Sequence, residues 1–485
     1  MAADFPDEIR LEIADRPDET VSGLLVTVAQ KARETAFFET LSEGLNLKMK
    51  VVRYTHQQKI QAIVAGLAVG CRHVAEMQTK LVPDTVAAGL FGMARFPDQA
   101  QINAFLRRCG PGQVAHLGAA HQRLLLANSV AADRTRWLAL PDGRAVLPAD
   151  LDQTPLVTRS KRATGVAAGY FGRKRGNVGY KKSVAILGGG VREVLWLRLE
   201  PGNAHGQEAV PEVLEQLAAL GEAKGLRADD VLLRGDSQYG STAVLRRVQA
   251  AGHHYLLKGY TPKTARALAE ALPPTAVWAY RGTDSNGSRL WVADAGEVEL
   301  RGHDDPAATA PVCTRAVLLV RVAFRTHRKR GRGSPLVRVE KTVSYEHYLT
   351  DLGPEVLPAE AVLDVYNGRE TEESFFRAEQ DAFGAQYLRT YDGEGEAAFL
   401  WLLASTVNLL RWVQRSTFAG TPLEEAGLTK LVTQAMRIGA TVERTAQVWT
   451  VFLPATARIV RQLVSIWCQR AWQLPLPLSF AGNSP

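Results

Sequence analysis

The chain has 485 residues, which is too long for one hydrophobic core of ordinary size and favours two to four structural units. Hydrophobic residues make up 46% and charged residues 22%, a globular composition that excludes an intrinsically disordered chain. Lys and Arg outnumber Asp and Glu by 58 to 50, and the net charge of +8 favours polyanionic partners without naming one.

The cysteines and the apolar stretches bear on where the protein works. Four cysteines stand far apart without CxxC spacing, which excludes a zinc ribbon or a dense disulfide framework: Cys71, Cys109, Cys313 and Cys468. The N-terminus is acidic, unlike a signal peptide, and the longest apolar stretches, 60–71 and 399–410, are too short to span a bilayer. We therefore expect a cytoplasmic protein with free thiols and no membrane contact.

Helical periodicity predicts an N-terminal helical domain over residues 1–140, which we expect to bind DNA. Apolar residues recur three and four positions apart in 57–78 and 99–109, with Pro and Gly between these runs. Pro97 and Asp98 mark a predicted helix start. The short helices there fit a helix-turn-helix or ordinary helical packing, and the sequence leaves both open.

Beyond residue 140 the pattern changes to strands and alternating helices. Strands are predicted at 144–152, 182–187, 193–199, 231–233 and 254–257, a glycine turn at 188–190, and helices at 207–224 and 242–251. Four strand-like runs then indicate a β-rich insertion before helices return at 371–383 and 396–415. The predicted units are a first core part at 141–260, the insertion at 261–351, a second core part with C-terminal helices at 352–470, and a tail at 471–485.

Two aspartates stand at the ends of predicted strands. Asp152 ends the first strand and Asp236 the fourth. Carboxylates that converge from rigid strand ends can hold a pair of Mg²⁺ ions, which prefer hard oxygen ligands. Taken singly, each aspartate also fits a helix cap or a turn.

A third carboxylate follows in a recognisable spacing. Tyr366, Arg369 and Glu373 give the pattern Tyr-x2-Arg-x3-Glu. With Asp152 and Asp236 upstream, the whole resembles the DDE transposases of bacterial insertion sequences, in the group whose ribonuclease-H-like core is split by a β-rich insertion. The stretches 199–205 and 236–240 also match that family, and the resemblance spans about residues 140–415.

The resemblance implies the fold, the activity and the partners. The fold would be α/β, with a ribonuclease-H-like mixed-sheet core, a β-rich insertion and a helical N-terminal domain. The protein would be an endonuclease and strand-transfer enzyme of DNA recombination, with Asp152, Asp236 and Glu373 as catalytic ligands of two Mg²⁺ or Mn²⁺ ions. Tyr366 and Arg369 would contact phosphates near the cut. A homodimer would bind double-stranded DNA, both the terminal inverted repeats and the target, in association with a bacterial nucleoid.

Three positions make the third ligand and its surroundings uncertain. The family has a Lys seven residues after the Glu, where this chain has Gln380. Arg377 lies four residues after Glu373 and either supplies the missing charge or forms an ordinary ion pair along the helix. Glu370 shares a helix face with Glu373 and competes with it as the metal ligand.

Basic residues cluster in two segments that we expect to bind DNA phosphates, with a solvated loop as the alternative. The first segment, 155–182, has no acidic residue and carries Arg159, Lys161, Arg162, Arg173, Lys174, Arg175, Lys181 and Lys182. The second lies at a predicted hairpin tip and carries Arg325, Arg328, Lys329, Arg330 and Arg332. In related transposases an aromatic residue of the insertion stacks on a flipped base. Trp278 and Trp291 are candidates here, and both also fit the core.

Two other functions compete with this interpretation. Residues 150–154 fit the Asp-x-Asp-x-Thr signature of haloacid-dehalogenase-like phosphatases, with Asp150 as the nucleophile. That function leaves the Tyr366-to-Glu373 pattern and both basic segments without a role. The second competitor is a catalytically inactive, domesticated DNA-binding relative, against which the intact acidic triad argues.

Overall fold

A computed structural model describes residues 18–47, 53–171, 174–301, 310–328, 337–369, 381–444, 449–454 and 456–463. Its α-helices are α1 Leu25–Glu34, α2 Phe37–Ser42, α3 His56–Ala68, α4 Val74–Lys80, α5 Thr85–Leu90, α6 Gln99–Leu106, α7 Pro111–Asn128, α8 Val210–Lys224, α9 Thr242–Ala251, α10 Pro262–Ala271, α11 Ala359–Asn367 and α12 Gly393–Ser416. A short helical segment, Leu428–Ala435, follows α12. The predicted α/β class is confirmed.

The strands fall into two sheets. They are β1 Glu19–Thr20, β2 Leu138–Ala139, β3 Ala145–Thr158, β4 Ala167–Phe171, β5 Lys174–Leu187, β6 Glu193–Pro201, β7 Val231–Gly235, β8 His254–Lys258, β9 Ala279–Thr283, β10 Arg289–Leu300, β11 Val312–Arg328, β12 Val337–Thr350, β13 Ala440–Arg444 and β14 Trp449–Phe452. Among the described strands, β1, β13 and β14 form a small sheet, and the other eleven form one large mixed sheet.

Local sequence sets several element ends. Thr55 and Asp98 form capping boxes at the starts of α3 and α6, which confirms the helix start predicted at Asp98. Gly70 has φ +72°, a left-handed conformation that prevents α3 from continuing beyond its end at Ala68. The turn at 188–190 joins β5 to β6 as predicted.

The centre of the large sheet has the order β6-β5-β3-β7-β8. The pairs β6–β5 and β5–β3 are antiparallel, whereas β3–β7 and β7–β8 are parallel. Helix α8 connects β6 to β7, and α9 connects β7 to β8. This topology confirms the ribonuclease-H-like mixed sheet.

The strands of the predicted insertion extend the same sheet. Strands β9 to β12 form an antiparallel ladder, and β12 pairs with β8 of the core. Helix α10 precedes this ladder and was not among the predicted elements. The insertion strands are therefore hydrogen-bonded to the core rather than separate from it.

The two faces of the sheet bury different cores. Leu147, Ala149 and Leu151 of β3 belong to a large core that includes the N-terminal helices and α12. Val146 and Leu232 point to the opposite face, which α11 covers. Because the N-terminal helices share the large core with the sheet, a domain boundary at residue 140 stays a prediction. Within the described part of the chain, no helix is long and apolar enough to cross a membrane.

Candidate active site

Asp152 and Asp236 occupy neighbouring positions at the carboxyl end of β7. The parallel register pairs Leu151 of β3 with Gly235 of β7, and the two aspartates are the next residues on each chain. Neighbouring strands lie about 4.8 Å apart, so the backbones of the two aspartates are close. Both side chains are partly exposed. The sheet therefore joins two carboxylates that are far apart in sequence.

A tight turn fixes Asp236. A Cβ atom at Gly235 would lie 2.9 Å from Cβ of Tyr239, so only glycine lets the buried Tyr239 fold back against the strand. The Gln238 backbone N–H donates to Oδ1 of Asp236 at 2.9 Å. The carboxylate thus stands at the start of the turn rather than on a mobile loop end.

A buried ion pair lies one pleat deeper, at Asp150 and Arg234. Arg234 Nε donates to Oδ1 of Asp150 at 2.6 Å, and Nη2 donates to Oδ2 at 2.8 Å. Both residues are 0% exposed. Because both carboxylate oxygens accept from the guanidinium and neither reaches solvent, Asp150 cannot attack a phosphate. The phosphatase alternative therefore lacks an accessible nucleophile at Asp150.

The same guanidinium reaches the end of α11. Arg234 Nη1 donates to the Val365 carbonyl at 2.6 Å, and Nη2 donates to the Gly368 carbonyl at 3.3 Å. This contact brings Tyr366 and Arg369 to the side of the sheet where the aspartates stand. Helix α11 was not predicted, and it contains Tyr366 in its last turn.

Tyr366 and Arg369 contact each other. Arg369 Nη1 donates to the Tyr366 hydroxyl at 2.7 Å, and the guanidinium carbon lies 4.9 Å from the ring centroid. Tyr348 of β12 packs edge-on against the Tyr366 ring with centroids 4.8 Å apart, and burial raises the pKa of Tyr348 well above its usual value. Both Tyr366 and Arg369 remain partly exposed, and the phenol orients the cation.

The third carboxylate lies outside the described residues. This holds for Glu373 and its competitor Glu370, and also for Arg377 and Gln380. Convergence of Glu373 on the two aspartates therefore stays a prediction. Over the described ranges, no group of three or more His, Cys, Asp or Glu side chains is placed to hold a metal ion.

The first basic segment is mostly strand rather than loop. Arg159, Lys161 and Arg162 are exposed in the connection between β3 and β4. Lys181 Nζ donates to the Ala204 carbonyl at 2.7 Å, and burial lowers its pKa. Lys182 is 5% exposed, which leaves its ammonium group little access to a DNA phosphate. Arg173 lies outside the described residues, as do the side chains of Lys174 and Arg175 on β5.

The second basic cluster and the two tryptophans lie in the insertion strands. Arg328 pairs with Val337 at the far end of the β11–β12 ladder, and Lys329 and Arg330 lie outside the described residues. Trp291 on β10 packs against Tyr280 of β9 with centroids 5.3 Å apart. Trp278 precedes β9, and both tryptophans are partly buried.

The buried ion pair has a signal in the sequence of β7. Arg234 is the single charged residue in the otherwise apolar strand β7. A charged side chain that is buried in a sheet covered on both faces needs a partner of opposite charge. Asp150 stands in the same position on β3, and the parallel register pairs the two residues directly. A parallel pairing of these two strands therefore predicts the contact between Asp150 and Arg234.

A comparison with protein families identifies the family of this chain. A family model described as transposase DDE domain group 1 matches residues 20–470, nearly the whole chain. The matched range contains both aspartates and the Tyr366-to-Glu373 segment. A search of curated proteins finds no match.

Proposed function

The chain belongs to the transposase DDE domain group 1 family, and from this premise we propose that it cuts DNA at the ends of a mobile element and joins those ends to target DNA. The observation that carries the proposal is the parallel pairing of Leu151 with Gly235, because Asp152 and Asp236 directly follow these two residues. Two neighbouring carboxylates on adjacent strands of a ribonuclease-H-like sheet suit an enzyme of phosphodiester chemistry.

The donor chemistry fits a pair of divalent ions. Asp152 is the β3 carboxylate of the proposed site, because Asp150 is buried and bound by Arg234. Asp236 is partly exposed beside it, and Glu373 would complete the set with a third hard oxygen donor. Two Mg²⁺ or Mn²⁺ ions would activate the attacking oxygen and stabilise the leaving oxygen of an in-line displacement.

Tyr366 and Arg369 would hold the phosphate that is cut. The Arg369 guanidinium is oriented by the Tyr366 hydroxyl, so its planar donors are aimed before DNA arrives. A fixed cation next to the carboxylates favours a phosphate at that position and limits its movement. Water or a DNA 3′-hydroxyl would attack phosphorus directly, without a covalent enzyme intermediate.

The basic connection between β3 and β4 would guide the DNA. Arg162 and Arg107 of the C-terminal end of α6 line the same cleft, whose volume is about 580 Å³, together with Gln99 and Asn103. Residues 388–392 form another wall of the cleft, and Arg159 and Lys161 are exposed in the same connection as Arg162. These cations would neutralise phosphates in a sequence-independent way. By resemblance, two copies of the chain would hold two DNA ends.

A cleavage assay tests the function. Purified protein is incubated with Mg²⁺ and DNA carrying the element's own ends, and cut strands are counted. Asp152→Ala and Asp236→Ala should abolish cleavage while DNA binding survives. Asp142→Ala is the matched control, because Asp142 is an aspartate in the turn before β3, outside the proposed site. Cleavage by Asp152→Ala at the wild-type rate would refute the proposed site, and binding without cleavage by the wild-type protein would favour an inactive relative.

A further inference from the structure

The Asp150–Arg234 pair joins three elements below the two aspartates. Arg234 on β7 donates to both oxygens of Asp150 on β3 and to the carbonyls of Val365 and Gly368 at the end of α11. Strand alternation places Asp150 on the same face as Asp152, and Arg234 stands two residues before Asp236. The pair therefore forms the row next to the proposed metal ligands.

Stability alone does not account for this pair. Taking two charges out of water costs several kcal/mol for each ion, and well-packed apolar residues are often as stable or more stable. A buried guanidinium does give direction, because its donors form a rigid planar fork that lysine lacks. At the end of a helix it also complements the partial negative charge of the last carbonyls.

Two glycines leave room for the pair. A Cβ atom at Gly188, in the turn between β5 and β6, would lie 2.6 Å from Oδ2 of Asp150. A Cβ atom at Gly368 would lie 3.2 Å from Nη1 of Arg234. Side chains at either position would displace the guanidinium or the carboxylate. The backbone on both sides is thus fitted around the ion pair.

From these contacts we propose that Arg234 and Asp150 are positioning residues, which fix the end of α11, and with it Tyr366 and Arg369, relative to Asp152 and Asp236. The proposal rests on the function proposed above, because it assigns the pair to the geometry of that site. Arg234 touches no reacting atom in this assignment. It acts through the carbonyls of Val365 and Gly368, each of which directly precedes one of the two phosphate-binding residues in the chain.

The molecule contains a matched control pair. Arg315 on β11 is 7% exposed, donates to Asp294 Oδ2 at 2.5 and 3.1 Å, and donates to the carbonyls of Leu352 and Leu357 at 2.9 and 2.7 Å. It anchors the segment before α11 with the same chemistry that Arg234 applies to the end of α11. The register places Arg315 three strands from Arg234, roughly 14 Å away by strand spacing.

The test compares Arg234→Lys with Arg315→Lys. Each variant keeps one charge beside its aspartate but loses the fork that reaches two carbonyls. Both should lower the melting temperature, whereas Arg234→Lys alone should slow Mg²⁺-dependent cleavage by about tenfold or more, as outer partners of metal sites do. Its affinity for DNA in the presence of EDTA should stay within about twofold of wild type, since the phosphate cations remain.

Hydrogen exchange gives a readout that needs no activity. In Arg234→Lys, amide exchange over 365–369 should be faster than in wild type, and in Arg315→Lys it should match wild type. Gly368→Ala provides a second variant without charge loss, because its Cβ crowds Nη1 while the helix end keeps an ordinary backbone (φ −57°). It should slow cleavage with little loss of stability.

The positioning role and the proposed function can fail separately in these experiments. Unchanged exchange at 365–369 in Arg234→Lys, or equal loss of cleavage in Arg234→Lys and Arg315→Lys, would overturn the positioning role. If wild-type protein does not cut DNA, the proposed function fails while the exchange data still test the anchoring of α11. Faster exchange together with wild-type cleavage would show that the anchor is structural only and would also overturn the proposal.

Discussion

Glu396 makes the stability of the protein depend on pH. It lies in the first turn of α12 and is 1% exposed, and its Oε2 accepts from the backbone N–H groups of Arg389 and Thr390 at 2.7 and 3.1 Å. Burial raises its pKa from 4.5 to about 7, against the opposing effects of Arg389 and those hydrogen bonds. The folded state therefore holds the proton more tightly than the unfolded state.

The sign and size of the effect follow from linkage. A raised carboxyl pKa stabilises the fold fully below pH 4.5, and this contribution is lost as the pH rises through about 7. At 1.36 kcal/mol for each pH unit, the loss amounts to about 3 kcal/mol. Glu396→Gln keeps an acceptor oxygen and has no charge, so it should remove most of this pH dependence.

Urea denaturation at pH 5 and pH 8 measures the effect. Wild-type protein should lose about 2.5 kcal/mol more of its free energy of unfolding than Glu396→Gln between these values, because part of the loss occurs below pH 5. Glu394→Gln, in the same helical turn but partly exposed, is the matched control and should behave as wild type. An equal loss in Glu396→Gln and wild type would refute the assignment of the pH dependence to this carboxyl group.

The other predictions concern a close contact, an ion pair and DNA binding. Gly188→Ala should destabilise the protein by about 1–3 kcal/mol in urea denaturation, because its Cβ would lie 2.6 Å from Asp150, whereas Gly112→Ala, with no neighbour within 4 Å, should be neutral or stabilising. The Asp351 carboxylate raises the pKa of His254, so in urea denaturation wild type should lose more stability than His254→Gln as pH rises through that pKa. The β3–β4 connection has three exposed cations, Arg159, Lys161 and Arg162. Replacing all three with Gln should lower the slope of log DNA affinity against log salt concentration by about three units, as measured by fluorescence anisotropy. An unchanged slope would show that this connection does not contact DNA.

Local signals made much of the fold predictable. The helix cap at Asp98, the glycine turn at 188–190 and the apolar strand at Val231 each depend on a few neighbouring residues, and the structure has all three. The strand that Asp236 follows was predictable for the same reason, whereas the predicted strand end at Asp152 is wrong, because pairing with β5 continues β3 to Thr158. The adjacency of the two aspartates needed the ribonuclease-H-like strand order, which the family resemblance supplied and local periodicity did not.

The features that the sequence did not predict depend on contacts between residues far apart in the chain. The pairing of β12 with β8 joins the insertion to the core, and the residue pattern of neither strand predicts which strand it pairs with. Lys182 stands in a run of basic residues typical of a surface, yet the strand alternation turns it inward. The Arg234 contact with α11 depends on the packing of a helix onto the sheet, which periodicity alone does not specify.

The central claim is that Asp152, Asp236 and Glu373 together carry out the DNA chemistry, and the identity of the third carboxylate tests it most directly. Glu370 and Glu373 lie three residues apart in the sequence, so each substitution is the control for the other. On element-end DNA with Mg²⁺, Glu373→Gln should lose both strand cleavage and joining to a target plasmid, and Glu370→Gln should retain both. Cleavage that survives Glu373→Gln and disappears in Glu370→Gln, or survives in both, would contradict the account.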